Sequence, residues 1–215
     1  MAATDDPGDQ WMYISTPSES GVKYTVKIGG ILGATNESGT IFAEGEVSNS
    51  NPAVIELAQD PGNNNGWWSN LFVESSETEQ VLKKGFIIEA EAEVYISVRA
   101  NSDGQQYQAG ALVSKGTSAL GNTFRAGMFT NENPQTNYLN FFSVMATEDQ
   151  TTVNLKSNNI SGLVIQNYSG QFPIEDIKLN KGESYTVALK VTDAIPGNRD
   201  GLIGALVSAD KNVVV

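Results

Sequence analysis

The sequence of 215 residues predicts an all-β fold, and three features support this. Apolar and polar residues alternate along short stretches, which indicates half-buried β-strands because successive side chains of a strand point to opposite faces. Turn-forming Gly, Asn, Asp, Ser and Pro residues interrupt these stretches at short intervals. No segment longer than about ten residues keeps the 3.6-residue apolar period of a helix.

Three stretches carry the alternation most clearly, in this order along the chain: VKYTVKI at 22–28, EVYISVRA at 93–100 and ESYTVALKV at 183–191. Their expected buried positions are Val22, Tyr24, Val26, Ile28, Val94, Ile96, Val98, Tyr185, Val187, Leu189 and Val191. With the turn segments between them, we expect about fourteen to seventeen short strands. That number favours packed sheets, as in β-sandwiches, over one open sheet.

An internal repeat is the next feature. The pentapeptide GALVS occurs at 110–114 and again at 204–208, and Lys84-Gly85 precedes the first copy at nearly the distance at which Lys181-Gly182 precedes the second. Upstream, YISTPSESGVKYTVKI at 13–28 parallels FFSVMATEDQTTVNL at 141–155, as an aromatic residue, a Ser, a polar turn and an alternating strand. We interpret this as a duplication in which the two GALVS copies are equivalent core strands.

The duplication leaves two arrangements open: two related β-sandwich-like units in tandem, or one larger β structure made of two duplicated halves. The second unit is expected to be truncated, because the sequence ends in the apolar run DKNVVV. The predicted divisions are an N-terminal tail at 1–10, a first unit at 11–129, a linker at 130–137 and a second unit at 138–215.

Composition excludes several classes of function. The chain has no Cys and no His, so it has no disulfide, no thiolate nucleophile, no Cys/His zinc site and no His general base. A net charge of −12 without a Lys/Arg cluster argues against nucleic acid and anionic lipid as partners. No apolar run is long enough for membrane insertion.

The absence of Cys fits the cytosol or a bacterial secreted protein, and the polar, acidic, Asn- and Thr-rich composition favours the second. The N-terminal sequence MAATDDPGDQ has neither the basic nor the apolar region of a signal peptide.

The first candidate site is PGNNNGWWSN, which holds Asn63, Asn64, Asn65, Trp67 and Trp68. Adjacent Trp side chains in a strand point to opposite faces, so at most one enters the core. The exposed indole could stack on a sugar ring while the Asn amides bond its hydroxyls, which predicts a glycan or partner contact. The competing interpretation is a strand edge with one Trp buried and one lying on the surface.

The second candidate site is a set of acidic turns. Asp103, Glu148, Asp149 and Asp200 could supply oxygen ligands to calcium if their turns converge at one end of a sandwich. No loop has the fixed ligand spacing of a calcium-binding motif, and Asp and Asn are also ordinary turn formers. Calcium is therefore a candidate ligand, and no other cofactor is expected.

Arg125 and Arg199 are expected to pair with carboxylates or fix loops. Pairs of carboxylates occur throughout the chain and would suffice for a glycosidase, but no motif favours catalysis. We predict that the protein is not an enzyme.

Several segments resemble a known family, the N-terminal IgGFc-binding-type domain of large secreted Bacteroidota proteins, which often carry C-terminal sorting domains for type IX (gliding-motility-type) secretion. The segments that carry the resemblance are Gly110–Ser114, Phe124–Asn131, ATEDQTTV at 146–153, Lys181–Glu183 and NRDGLIGALV at 198–207. The resemblance covers most of the chain, best from about residue 80 onward, and supplies no catalytic residues.

The resemblance implies an adhesin-type module that is secreted or exposed at the cell surface, outside the outer membrane, and attached to other domains of a longer polypeptide. Its partner would be a glycan, a surface polymer or a protein, bound through loops on a β scaffold. Two alternatives remain open: a ligand-free stalk or cap module of a long surface filament, and an accessory domain of a carbohydrate-active enzyme.

Overall fold

The computed structural model describes residues 10–29, 40–58, 73–101, 109–128, 139–158, 162–190 and 195–215. The predicted all-β class is confirmed, because these residues form fourteen strands and no α-helix. The strands are β1 Gln10–Ser15, β2 Val22–Ile28, β3 Thr40–Val47, β4 Ala53–Ala58, β5 Val81–Leu82, β6 Phe86–Ala90, β7 Tyr95–Asn101, β8 Ala109–Val113, β9 Gly121–Arg125, β10 Leu139–Ala146, β11 Thr151–Lys156, β12 Ile174–Leu179, β13 Ser184–Lys190 and β14 Leu206–Val214. Single turns of 3-10 helix occupy Gly116–Ala119 and Pro196–Arg199.

The chain forms two compact units. The described residues of the first unit lie within 10–58 and 84–119, and those of the second within 73–83 and 120–215. This division differs from the predicted boundaries, since residues 73–83 and 120–128 belong to the second unit. The pairing of strands explains the difference, because β5 pairs with β13 and β9 pairs with β14. The predicted linker at 130–137 lies outside the described residues.

The first unit is a sandwich of two antiparallel sheets. Four strands form one sheet in the order β4-β1-β7-β8, and three form the other in the order β3-β2-β6. Side chains of both sheets meet in one core, with Met12 and Ile14 from the first and Val22, Tyr24 and Val26 from the second. The strand VKYTVKI buries each of its predicted inward positions, so its alternation gave the correct face.

The second unit is built on one sheet in the order β12-β11-β14-β10-β13-β5, with β9 also paired to β14. The long strand β14 joins its two halves, because Leu206–Ala209 pair with β11 and Val213–Val214 pair with β10. Val144 and Val187 on one half and Val153 and Ile177 on the other belong to a single core. The sheet therefore folds round a corner at β14 and encloses its own apolar face.

A four-strand motif occurs in both units, which agrees with the predicted duplication. In the first unit β1 leads through a short turn into β2, and β6 leads into β7; β1 pairs with β7 while β2 pairs with β6. In the second unit β10–β11 and β12–β13 are related in the same way, since β10 pairs with β13 and β11 with β12. The predicted parallel between 13–28 and 141–155 corresponds to the first half of this motif.

The predicted equivalence of the two GALVS copies is wrong. The first copy lies on β8, an edge strand, where Leu112 is 70% exposed. The second copy enters β14 between β11 and β9, where Ala205 and Val207 are fully buried. Lys84-Gly85 and Lys181-Gly182 also differ in place, because the first pair precedes β6 whereas the second lies in the turn between β12 and β13.

Candidate functional site

The outward face of the four-stranded sheet in the first unit is the best candidate for a binding surface. We call it the aromatic face and define it by Trp11, Tyr13, Val54, Tyr95, Arg99 and Val113. These positions alternate with the core residues Met12 and Ile14 on β1 and with Ile96 and Val98 on β7. Since side chains of a strand alternate between faces, the same strands that fill the core also present this surface.

Strand register places these side chains in rows across the sheet. In one row Val54, Tyr13, Ser97 and Val113 lie opposite one another on β4, β1, β7 and β8. In the next row Glu56, Trp11, Arg99 and Ala111 are aligned in the same way. Tyr95 stands beside Ser15 in a third row. The side chains of one row are neighbours about 5 Å apart, so the face is a continuous surface.

Several apolar side chains of this face are open to solvent. Val54 is 58% exposed, Tyr95 is 55% exposed and Val113 is 57% exposed, while Trp11 and Tyr13 are partly exposed. Clusters of exposed apolar and aromatic side chains mark sites of interaction more often than single exposed residues do. The aromatic face therefore has the composition of a binding surface.

One pair of side chains on the face is already ordered. The guanidinium of Arg99 lies 5.1 Å from the centre of the Tyr13 ring, in a cation–π contact. Such a contact is worth about 0.5–1 kcal/mol at an exposed site, and it holds the arginine in one direction. Tyr, Trp and Arg are the residues most often found at the energetic centre of protein interfaces. A partner would thus meet a partly preformed surface.

The structure does not test the first predicted site. Asn63, Asn64, Asn65, Trp67 and Trp68 lie outside the described residues, so a glycan contact at these positions stays a prediction. The third tryptophan, Trp11, lies on the aromatic face and was not among the predicted site residues. The signal was present in QWMYIS, where Trp11 and Tyr13 alternate with aliphatic Met12 and Ile14.

The structure separates the predicted calcium ligands that it describes. Glu148 and Asp149 lie in the turn after β10, whereas Asp200 follows Arg199, whose carbonyl accepts a 2.7 Å hydrogen bond from Asn140 near the start of β10. The length of β10 between these ends is about 20 Å at 3.3 Å per residue. Glu148 and Asp149 therefore do not share a metal ion with Asp200, and Asp103 lies outside the described residues.

Asp149 has a structural partner. Its Oδ1 accepts a 3.0 Å hydrogen bond from the backbone N–H of Lys181, and the ammonium of Lys211 donates to its carbonyl. Asp210 acts in a similar way by accepting a 2.7 Å bond from the N–H of Thr152, which is the main reason that the pKa of its carboxyl is lowered. Within the described ranges, no cluster of three or more acidic side chains is placed to hold a metal ion.

Arg125 also has a structural role, since its Nη1 donates a 2.9 Å hydrogen bond to the carbonyl of Gly204. This bond fixes the turn that leads into β14. The neighbouring backbone bonds, from Ala126 N to Ala205 O at 2.9 Å and from Gly204 N to Ala126 O at 2.8 Å, extend the same contact. The expectation that this arginine fixes a loop agrees with its position.

In the described part of the chain, no helix is long and apolar enough to cross a membrane. The chain gives no match to curated proteins and none to solved structures. A family model described as IgGFc binding protein matches residues 109–215, which begin with the edge strand β8 and continue through the second unit. The family resemblance predicted from the sequence is confirmed over these residues, so this part of the chain is similar to IgGFc binding proteins.

Proposed function

We propose that the protein is an extracellular module that binds a protein partner on the aromatic face. Two independent observations support this proposal. The family matched by residues 109–215 is described as a binding protein, and the structure contains an exposed surface with aromatic, apolar and arginine side chains. The observation that carries the site is the cluster of Trp11, Tyr13, Tyr95 and Arg99 on one open sheet face.

An exposed sheet face favours a protein over a small molecule as the partner. Small ligands are bound in concave pockets that cover most of their surface, whereas protein interfaces combine exposed aromatic anchors with a polar rim. On the aromatic face, Tyr95 and Val54 supply apolar contact area while Glu56, Ser97 and Ser15 supply polar groups. Rigidity of the sheet keeps the entropic cost of ordering this surface low.

The matched residues contribute to this face directly through β8, which carries Val113 in the row of Tyr13. The other three strands precede the match. The proposal therefore attributes binding to a surface shared between the matched region and the residues before it.

The experiment measures binding of the protein to an immobilised Fc fragment of immunoglobulin G, since this is what the description of the matched family names. We expect Tyr95→Ala and Arg99→Ala to weaken binding by about tenfold or more, as for interface hot spots. Tyr168→Ala is the matched control, because Tyr168 is an exposed tyrosine of the other unit at 41% exposure. Fc binding that the face variants leave unchanged would place the site elsewhere.

A glycan array with the native protein, the same variants and the further variants Trp67→Ala and Trp68→Ala distinguishes a protein partner, a glycan partner and a module without a ligand. Binding to glycans alone, lost on Trp67→Ala or Trp68→Ala, would favour the glycan site predicted from the sequence. No binding to Fc or to any glycan would favour the alternative of a structural stalk or cap module. Secretion, exposure at the cell surface and a bacterial source within Bacteroidota are part of the same proposal and rest on the family resemblance.

A further inference from the structure

Among the described residues of the first unit, the two sheets end in four edge strands, and these strands differ in charge. Edge strands expose unpaired N–H and C=O groups, and proteins commonly protect them with charged side chains. The edge strands β3, β4 and β6 follow this rule, since β3 carries Glu44 and Glu46, β4 carries Glu56 and β6 carries Glu89. The fourth edge strand, β8, has the sequence AGALV and carries no charge.

The hydrogen-bonding groups of β8 that face away from β7 can be assigned. Ser114 donates a 3.0 Å backbone bond to the carbonyl of Ile96, so this position forms a hydrogen-bonded pair with β7. In an antiparallel ladder such pairs alternate, and Leu112 therefore forms the next one, opposite Val98. Ala111 and Val113 consequently direct their N–H and C=O groups to the edge that is free among the described residues.

The side chains of β8 are also open. Leu112 is 70% exposed and Val113 is 57% exposed. Leu112 lies on the inward face, in the row of Val98 and the core residue Met12, but the three described strands of the opposing sheet leave it uncovered. The edge thus has free hydrogen-bonding groups, two exposed apolar side chains and no charge.

We propose that β8 pairs antiparallel with β8 of a second copy of this chain, about a two-fold axis that passes between the two Leu112 residues. In this register Ala111 lies opposite Val113 of the other copy. Because the backbone N–H and C=O of both residues face the new partner strand, the two residues exchange two N–H···O bonds. Leu112 lies opposite Leu112 of the other copy as a pair without hydrogen bonds between the two β8 strands. In an antiparallel ladder, the side chains of such pairs are the closest across the strands. Small Ala111 leaves room for Val113.

Among the four edges of the described sheets, β8 is the one at which charge opposes a second copy least. The net charge of −12 disfavours self-association in general, and each of the other three edges would add carboxylates to the contact, whereas β8 adds none. Lys115, the nearest charge along the chain, would lie about 20 Å from its counterpart along the ladder, which is well beyond the screening length of about 8 Å. Arg99 is held over Tyr13, away from β8.

The pairing would create one sheet of eight strands from two four-stranded sheets. Val113 and Tyr13 share the outward face, so the two aromatic faces would become neighbours on this sheet. A dimer would therefore offer two copies of the surface to a partner, with the gain in avidity that two linked sites give. This inference does not depend on the proposed ligand, because the pairing needs no partner protein.

The absence of Cys in the chain allows a direct test by crosslinking. A Leu112→Cys variant should form a disulfide-linked dimer under mild oxidation, because cross-strand pairs at such positions bring the Cβ atoms close to disulfide distance. Val54→Cys is the matched control, since Val54 is 58% exposed, against 70% for Leu112, but lies on the opposite edge strand of the same sheet. Equal crosslinking of the two variants would overturn the proposal.

The mass in solution is the second measurement, by light scattering on a sizing column at high micromolar concentration. We expect the native protein to have twice the mass of one chain and to dissociate on dilution. Ala111→Pro removes a free N–H without removing a bond to β7, and should give a monomer with unchanged circular dichroism. If that variant does not fold, Val113→Lys takes its place. A monomeric native protein, or a folded variant that remains dimeric, would overturn the proposal.

Discussion

The carboxylate of Glu79 accepts a 2.7 Å hydrogen bond from the backbone N–H of Ala188, which lies 109 residues further along the chain. Its second oxygen accepts a 3.1 Å bond from the N–H of Asn167, and its own N–H donates at 2.8 Å to the carbonyl of Thr186. Glu79 thus joins three segments of the second unit. These bonds also hold its backbone at a φ of 61°, a conformation that non-glycine residues rarely adopt.

We predict that Glu79→Ala lowers the free energy of unfolding by about 1–3 kcal/mol. The change leaves the N–H of the fully buried Ala188 without an acceptor, and each such buried group costs about 1–3 kcal/mol. Urea unfolding followed by circular dichroism measures the effect. Glu175→Ala, an exposed site on β12, is the control and should change stability by less than about 0.5 kcal/mol. Equal losses in both variants would contradict this role of Glu79.

The hydroxyl of Tyr185 provides a prediction at alkaline pH. Burial, followed by the negative charges of Glu79 and Tyr168, raises the pKa of Tyr185 from 10.0 to about 12. The unfolded chain therefore releases this proton at a lower pH than the folded chain does. The stability that this difference provides is complete below pH 10 and is lost as the pH rises towards 12.

The comparison of Tyr185→Phe with the native protein in urea between pH 9 and pH 12 tests this. The variant should lose less stability over that range, because it has no phenol to ionise at this position. Tyr95→Phe, which changes an exposed tyrosine, should keep the alkaline loss of the native protein. Identical pH dependence in Tyr185→Phe and the native protein would show that this hydroxyl does not titrate as described.

Local alternation predicted the inward faces of the strands well, but it could not predict what covers their other faces. Val22, Val26 and Ile28 are buried as expected. On β13, however, Thr186 and Ala188 are buried too, although alternation places them outward. The segments around Glu79 and Asn167 hydrogen-bond to the backbone of β13 at Thr186 and Ala188, and such contacts between distant parts of the chain leave no periodic signal in the sequence.

The same limit applies to the binding surface. The sequence pattern favoured tryptophans in a Gly/Asn-rich loop, whereas the aromatic face is assembled from residues of β1, β4, β7 and β8 that are far apart in sequence. Alternation does place Trp11 and Tyr13 on one side of β1, and Tyr95 and Arg99 on one side of β7. Only the pairing of β1 with β7 brings these two pairs of side chains together on one surface.

Asn198 gives a further prediction about stability. Its buried side chain donates bonds of 2.8 Å to Val164 O and 2.9 Å to Lys190 O, and it accepts a bond of 3.0 Å from Val164 N. Asn198→Ala removes three partners at once and should lower the free energy of unfolding by about 3 kcal/mol. Urea unfolding measures this, with the exposed Asn49→Ala as control. A loss of less than about 1 kcal/mol would mean that water replaces these bonds.

Asp149, in the acidic turn after β10, has either a structural role or a role in calcium binding, and thermal melts distinguish the two. The carboxylate accepts a bond from Lys181 N, so Asp149→Ala should lower stability by about 1 kcal/mol whether or not calcium is present. Thermal melts of the native protein and the variant, with millimolar calcium and with a chelator, provide the four values needed. We expect calcium to leave both melting temperatures unchanged. A calcium-dependent rise in the native protein that Asp149→Ala abolishes would instead identify this turn as a metal site, because a ligand that binds only the folded state raises its melting temperature.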